Sequence, residues 1–110
     1  MTHTMKLHPL PIELIRNKEQ VIEIRLFDKK RQKLKIGDKI KFSLIDDRDK
    51  NIKVRIMDLL RRDTFSELFD MRPPEMFGGK NKEELFKVYK YYSKEDEQKY
   101  GVLGIIIKLI

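Results

Sequence analysis

The stretch Val21-Ile22-Glu23-Ile24-Arg25-Leu26-Phe27 decides how this chain is read. Apolar Ile22, Ile24 and Leu26 alternate with the rest, so they fall on one side of a β-strand. Val21, Glu23, Arg25 and Phe27 fall on the other. Glu23 and Arg25 therefore share a face, about 7 Å apart along the strand.

Upstream, Met5-Lys-Leu-His8 is a short opening strand that runs into Pro9-Leu-Pro11. Pro11 suits the first turn of a helix, where its missing N–H would be unpaired in any case. Ile12, Leu14 and Ile15 give that helix a small apolar face, and it ends near Asn17. Downstream, Asp28–Lys33 is a basic loop or helical turn, and Ile36-Gly37-Asp38 turns into a second strand with Ile40, Phe42 and Leu44 inward. The turn formers of Asp46–Asn51 predict a hairpin loop. A third strand carries Ile52, Val54 and Ile56 and continues to Leu60.

The period then changes. Thr64-x-x-Glu67 resembles a capping box, opening a short helix with Phe65, Leu68 and Phe69 on its apolar side. Pro73-Pro74 ends it, and Gly78-Gly79 permits a tight passage. Asn81-x-x-Glu84 opens a second helix bearing Leu85, Val88 and Tyr92. Ser93-x-x-Asp96 opens a third, which stops at Gly101. Val102–Ile110 closes the chain as a strand buried on both faces, hence central. Helices inserted late between strands predict an α+β domain built on a curved sheet or small barrel. With 110 residues, no repeat and no linker, residues 1–110 form a single domain.

No apolar run approaches the ~20 residues that a membrane span requires, and the first residues lack the apolar stretch of a secretory signal. The absence of cysteine excludes disulfides and thiolate metal sites. The expectation is a cytoplasmic protein without membrane contact. The formal net charge is +7, distributed unevenly. Residues 1–62 carry 17 Lys/Arg against 9 Asp/Glu, whereas residues 63–110 carry 8 against 9. A basic half beside a neutral one is the footprint of a phosphate-attracting surface, or else a solubilising lysine coat.

Among residues able to carry chemistry, Glu23 and Arg25 come first: guanidinium and carboxylate can recognise a phosphate or a base edge. The plainer reading is a salt bridge on a solvated face. Lys29, Lys30, Arg31, Lys33 and Lys35 are the densest basic cluster, a phosphate contact or a solvated loop, and Arg61 and Arg62 can extend it. Of four tyrosines, Tyr92 fits the core-facing side of its helix, whereas Tyr100, beside Gly101, is more open to stacking on a ligand. His3 and His8 lack a partner at metal-ligand spacing, so no metal site is expected. No Gly-rich phosphate loop follows a strand, and no cofactor is expected.

The run Asn17–Leu26, then Lys30-Arg31, then Ile36-Gly37-Asp38-x-Ile40-x-Phe42, resembles the ASCH domain, whose signature is G-x-K-x-x-E-x-R followed by a G-D-x-I turn. Tyr91–Glu95 and Tyr100–Ile105 are similar to the closing helix and strand of many members. The resemblance implies a PUA-like small β-barrel flanked by short helices, with the signature residues lining a cleft. Proteins of this kind are thought to bind RNA or nucleotides, and some hydrolyse RNA or acetylated cytidine. Glu23 and Arg25 match the signature glutamate and arginine. The signature lysine falls on Gln20 and the signature glycine on Lys18. Glutamine cannot ionise to act as base or nucleophile, and Lys18 takes its place only if it reaches the same space.

The expected function is thus recognition of RNA, a nucleotide or a modified nucleoside. Gln20, Glu23, Arg25, Lys30, Arg31 and Tyr100 are the binding residues. The alternative is a small hydrolase of acylated nucleosides or RNA using Lys18 and Glu23, which rests on analogy. A domain that binds a protein partner is the third possibility.

Overall fold

A computed structural model describes all 110 residues. The strands are β1 (Thr2–Leu7), β2 (Ile22–Leu26), β3 (Lys39–Leu44), β4 (Asp47–Arg62) and β5 (Val102–Leu109). The helices are α1 (Pro9–Arg16), α2 (Phe65–Phe69), α3 (Lys82–Leu85) and α4 (Lys94–Tyr100). Short 3₁₀ turns occupy Arg31–Lys33, Pro74–Phe77 and Phe86–Lys90. The five strands make one curled half-barrel sheet in the order β1-β3-β4-β5-β2. Only β1 and β3 run parallel. The architecture is α+β, and β5 is central, as its unbroken apolar run predicts.

Two hydrophobic cores lie on opposite faces of the sheet. The inner one gathers Met5, Leu7, Ile40, Phe42, Val54 and Leu103 from the strands, with Ile12 and Ile15 of α1 set against them. The outer one packs Ile22, Leu26, Leu60 and Val102 against Phe65, Leu68 and Phe69 of α2. Strand β4 serves both because its pairing with β5 shifts between Ile56 and Asp58. The extra residue, Met57, reverses the alternation, as a β-bulge does. Ile52, Val54 and Ile56 therefore face inward while Leu60, to which the strand continues as the sequence predicts, faces outward. The expected loop at 46–51 is shorter, since β4 already starts at Asp47.

Capping residues set the helical layer. Thr64, Asn81 and Ser93 each accept from the backbone N–H three residues on, as the sequence predicts. The expected continuous helix through Leu85, Val88 and Tyr92 instead breaks after Leu85 into a 3₁₀ turn. A buried carboxylate holds these pieces together: Glu97 Oε2 accepts from the Phe65 N–H (2.7 Å) and from the Tyr89 hydroxyl (2.8 Å). Burial, and then Glu97, push the Tyr89 phenol up to about 12, so it remains the donor.

One backbone position is conformationally unusual. Lys18 has φ +64°, the only non-glycine residue with a positive φ. An L side chain in that region is strained by roughly 1–2 kcal/mol, and glycine gives back about 0.5–1 kcal/mol through its greater unfolded freedom. Lys18→Gly is accordingly expected to raise stability by about 0.5–1 kcal/mol in urea titration, whereas Lys18→Ala leaves the strain in place.

Candidate functional site

Strand β2 pairs only with β5, in the register Glu23 opposite Ile105 and Arg25 opposite Leu103. Directly opposed residues share a face, so Glu23 and Arg25 lie on the inner side of the sheet. The face left to them by the alternation is not a solvated one: their side chains are 8 % and 12 % exposed. Arg25 Nη2 donates to Glu23 Oε2 (2.9 Å) and, across the mouth of the half-barrel, to the Lys6 carbonyl of β1 (2.9 Å). The second carboxylate oxygen, Glu23 Oε1, accepts from the Ile24 N–H (3.1 Å). Burial works against the Arg25 charge, but Glu23, and after it Tyr92, outweigh that and raise the guanidinium above its ordinary value.

The edge of β2 away from β5 is open. Val21 O accepts from Ile107 and Phe27 N–H donates to Gly101 O, so the odd residues face β5 and the even ones present their backbone groups outward. Along this edge runs a cleft of about 480 Å³, walled by α1 on one side and by residues 77–92 on the other. Glu23, Arg25 and Gln20 are among its polar groups, with Lys6, His8, Glu84 and Lys87. Gln20 is 5 % exposed. Its Nε2 donates to the Ile22 carbonyl (2.9 Å), while its Oε1 accepts nothing from the protein. Gly78, with φ +89°, makes room for it, since a Cβ there would stand 2.7 Å from Gln20 Oε1.

The rim is apolar. Leu10, Ile45 and Tyr91, three of the large hydrophobic residues exposed to solvent, all border this cleft. Tyr91 lies against His8 with ring centroids 5.1 Å apart. Tyr92 lines the wall and stacks on Phe65 at 5.8 Å. Exposed apolar side chains gathered around convergent polar groups make this cleft the candidate site.

A second cavity, of about 570 Å³, opens on the far side of Arg25 and contains Lys30 and Arg31. Arg25 and Lys6 line both cavities. Asp28 orients Arg31 by accepting from its Nη1 (3.1 Å) and its backbone N–H (3.1 Å).

Of the residues expected at the site, the structure brings Gln20, Glu23 and Arg25 to one cleft and Lys30 and Arg31 to the adjoining one. Two lie elsewhere. Lys18 is exposed in the turn after α1 and lines neither cavity, because its left-handed backbone breaks the extended path that would aim it beside Gln20. Tyr100 packs on the outer core, its ring beneath Lys99, and also lines neither. Tyr91 and Tyr92, two of the four tyrosines open to stacking, both line the cleft, and Tyr92 also packs on the outer core, as its helical spacing predicts. The 3₁₀ turn ending at Lys90 sets both beside the cleft. His8, next to Pro9, gave no signal.

The chain matches no family model and no curated protein. Among solved structures it is similar over its whole length to two proteins. One is the crystal structure of hypothetical protein PH0355, at 36 % identity and a TM-score of 0.89, with 100 % of both chains covered. The other is the solution structure of protein PF0455 from Pyrococcus furiosus, at 34 % identity and 0.75, covering 100 % of this chain and 98 % of that one. The chain belongs to the family that includes these two proteins.

Removing one member of a buried pair leaves an uncompensated charge and destabilises by about 3–5 kcal/mol, whereas replacing both by apolar groups is far milder. Glu23→Leu and Arg25→Met are expected to follow this pattern in denaturant titrations: each alone costs about 3 kcal/mol or more, and the double variant loses less than the sum.

Proposed function

We propose that this protein is an ASCH-type, PUA-like domain that binds RNA or a nucleotide by seating a base, standard or modified, in the cleft along β2. The observation that carries this reading is the combination found at that edge. Two tyrosines offer flat apolar surface, Glu23 and Gln20 Oε1 offer acceptors, and Arg25 offers a cation, all around one cavity. Stacking supplies sequence-tolerant affinity. Carboxylate and amide oxygens accept from the exocyclic amino groups that distinguish cytosine, adenine and guanine from uracil.

Two features support the ASCH assignment in particular. Lys18, at the place of the signature glycine, has the left-handed backbone that glycine favours. The Arg25–Lys6 bond joins the two edge strands, where a closed barrel would have a ladder. Recognition is favoured over hydrolysis. The place of the proposed catalytic lysine holds Gln20, an amide that takes no proton at neutral pH, and Lys18 points elsewhere.

Titration of ¹⁵N-labelled protein with the four ribonucleosides and a short single-stranded RNA tests this. Shifts are expected at the amides of Ile24 and Gly78 and at the Gln20 side chain. Tyr91→Ala, an exposed substitution, is expected to weaken binding about fivefold or more, since stacking contributes roughly 1–3 kcal/mol per base. Shifts confined to other surfaces, or capture of a protein partner at this cleft with no response to RNA or nucleosides, would reject the reading.

A further inference from the structure

The second cavity has a composition unlike the rest of the surface. Six of the nine residues that line it are cationic: Lys6, Arg25, Lys30, Arg31, Lys41 and Arg48. None is acidic. Thr4 and Ser43 add hydroxyls. The register explains how distant residues converge. Thr4 stands beside Lys41 and Lys6 beside Ser43 in the parallel β1–β3 pair. All four therefore share the face opposite to Met5 and Phe42, which belong to the inner core.

A second observation points to a missing acceptor. The two buried side-chain donors without a hydrogen-bond partner are Nε of Arg25 and Nε of Arg31, and both arginines line this cavity. Buried donors are ordinarily satisfied, and an orphan calls for an explanation. These two Nε atoms lie behind the surface of an acid-free basic wall, and the acceptor that its six cationic side chains call for is an oxyanion with several oxygens. Lys30 is affected as well: partial burial, then the nearby Arg31 and Arg25, hold its ammonium below the ordinary value. An anion in the cavity relieves the repulsion among these three cations.

We infer that the cavity walled by Lys30, Arg31, Lys41 and Arg48 is a phosphate subsite, and that Arg25 and Lys6 join it to the base cleft. The ligand is then a phosphorylated nucleoside, a mononucleotide or a phosphodiester of RNA, rather than a free nucleoside. The assignment of the ligand rests on the base-binding reading above, whereas the anion site stands on its own observations.

Calorimetric and NMR titrations of the full chain in low salt separate the two. The probes are inorganic pyrophosphate, cytidine and adenosine, their 5′- and 3′-monophosphates, and a trinucleotide RNA. Pyrophosphate is expected to move the Arg31 and Arg25 Nε–H resonances. Each monophosphate should bind at least about tenfold more tightly than its nucleoside, because charge-assisted bonds are the strong ones. This advantage should shrink as salt rises and approach unity in Lys41→Ala/Arg48→Ala. Neither residue of that pair takes part in an ion pair, and an unchanged melting temperature will show that the variant is folded. Tighter binding of the trinucleotide than of either monophosphate assigns the subsite to RNA, and the reverse assigns it to a free nucleotide. A response to pyrophosphate with none to nucleosides supports the anion site and rejects the base cleft. Equal affinity for nucleoside and nucleotide, with unmoved arginine resonances, overturns the phosphate subsite and leaves the base cleft intact.

Discussion

A half-barrel has two edges, and in this protein a single guanidinium spans them. Arg25 reaches from β2 to the Lys6 carbonyl of β1, strands that sit at opposite ends of the sheet order. A charged donor on a neutral carbonyl contributes about 1.5–3 kcal/mol, but burying the guanidinium without a counter-charge would cost more than that. Glu23, two residues along the same strand, supplies the counter-charge. The strand alternation that aligns them therefore fixes more than a local ion pair. It sets where the sheet ends meet, and with that the position of both cavities, since Arg25 and Lys6 form the wall between them.

The rest of the fold keeps that wall in place. The Met57 bulge lets β4 contribute to an inner core and an outer one. Gly104 in β5 allows α2 to approach closely, since a Cβ there would lie 3.0 Å from Leu68 Cδ1 and 3.2 Å from Ile22 Cγ2. Strand β2 is thus held from behind by β5 and α2, while its other edge is left for the cleft. Glu97 fastens α2 to the turn that delivers Tyr91 and Tyr92. Rigid strands place the charged groups, and short, individually capped pieces place the aromatic ones.

Legibility in the sequence followed the range of the interactions involved. Strand alternation, N-caps and the Gly37 turn depend on neighbours within four residues, and their elements are found where those signals lie. The central place of β5 was legible because a strand buried on both faces cannot hide its composition. Effects that depend on the third dimension were not legible. The face of β2 that holds Glu23 and Arg25 looks polar in one dimension, yet it turns inward because the opposing residues of β5 are Ile105 and Leu103. Nothing in Arg-Ile-Met-Asp-Leu announces a bulge at Met57. A left-handed lysine at position 18 carries no local mark, and it is what removes that side chain from the cleft. The convergence of Lys6, Lys41 and Arg48 with Lys30 and Arg31 requires the β1–β3 register, which sets Thr4 beside Lys41 and Lys6 beside Ser43.

Gln20 shows why recognition is the more economical reading of the cleft. It is almost fully buried, within the same cavity as Arg25. An ammonium in that position would face desolvation and a like charge together, both of which drive it toward the neutral form. A glutamine meets neither difficulty. One end of its amide is anchored to the Ile22 carbonyl, and Gly78 leaves space for the other. The oxygen is therefore held rigidly, without an internal partner, beside a carboxylate whose charge is already neutralised by Arg25. Fixed acceptors that need not change protonation state suit the reading of an amino group, and a fixed cation just beyond them suits the phosphate attached to the same nucleoside.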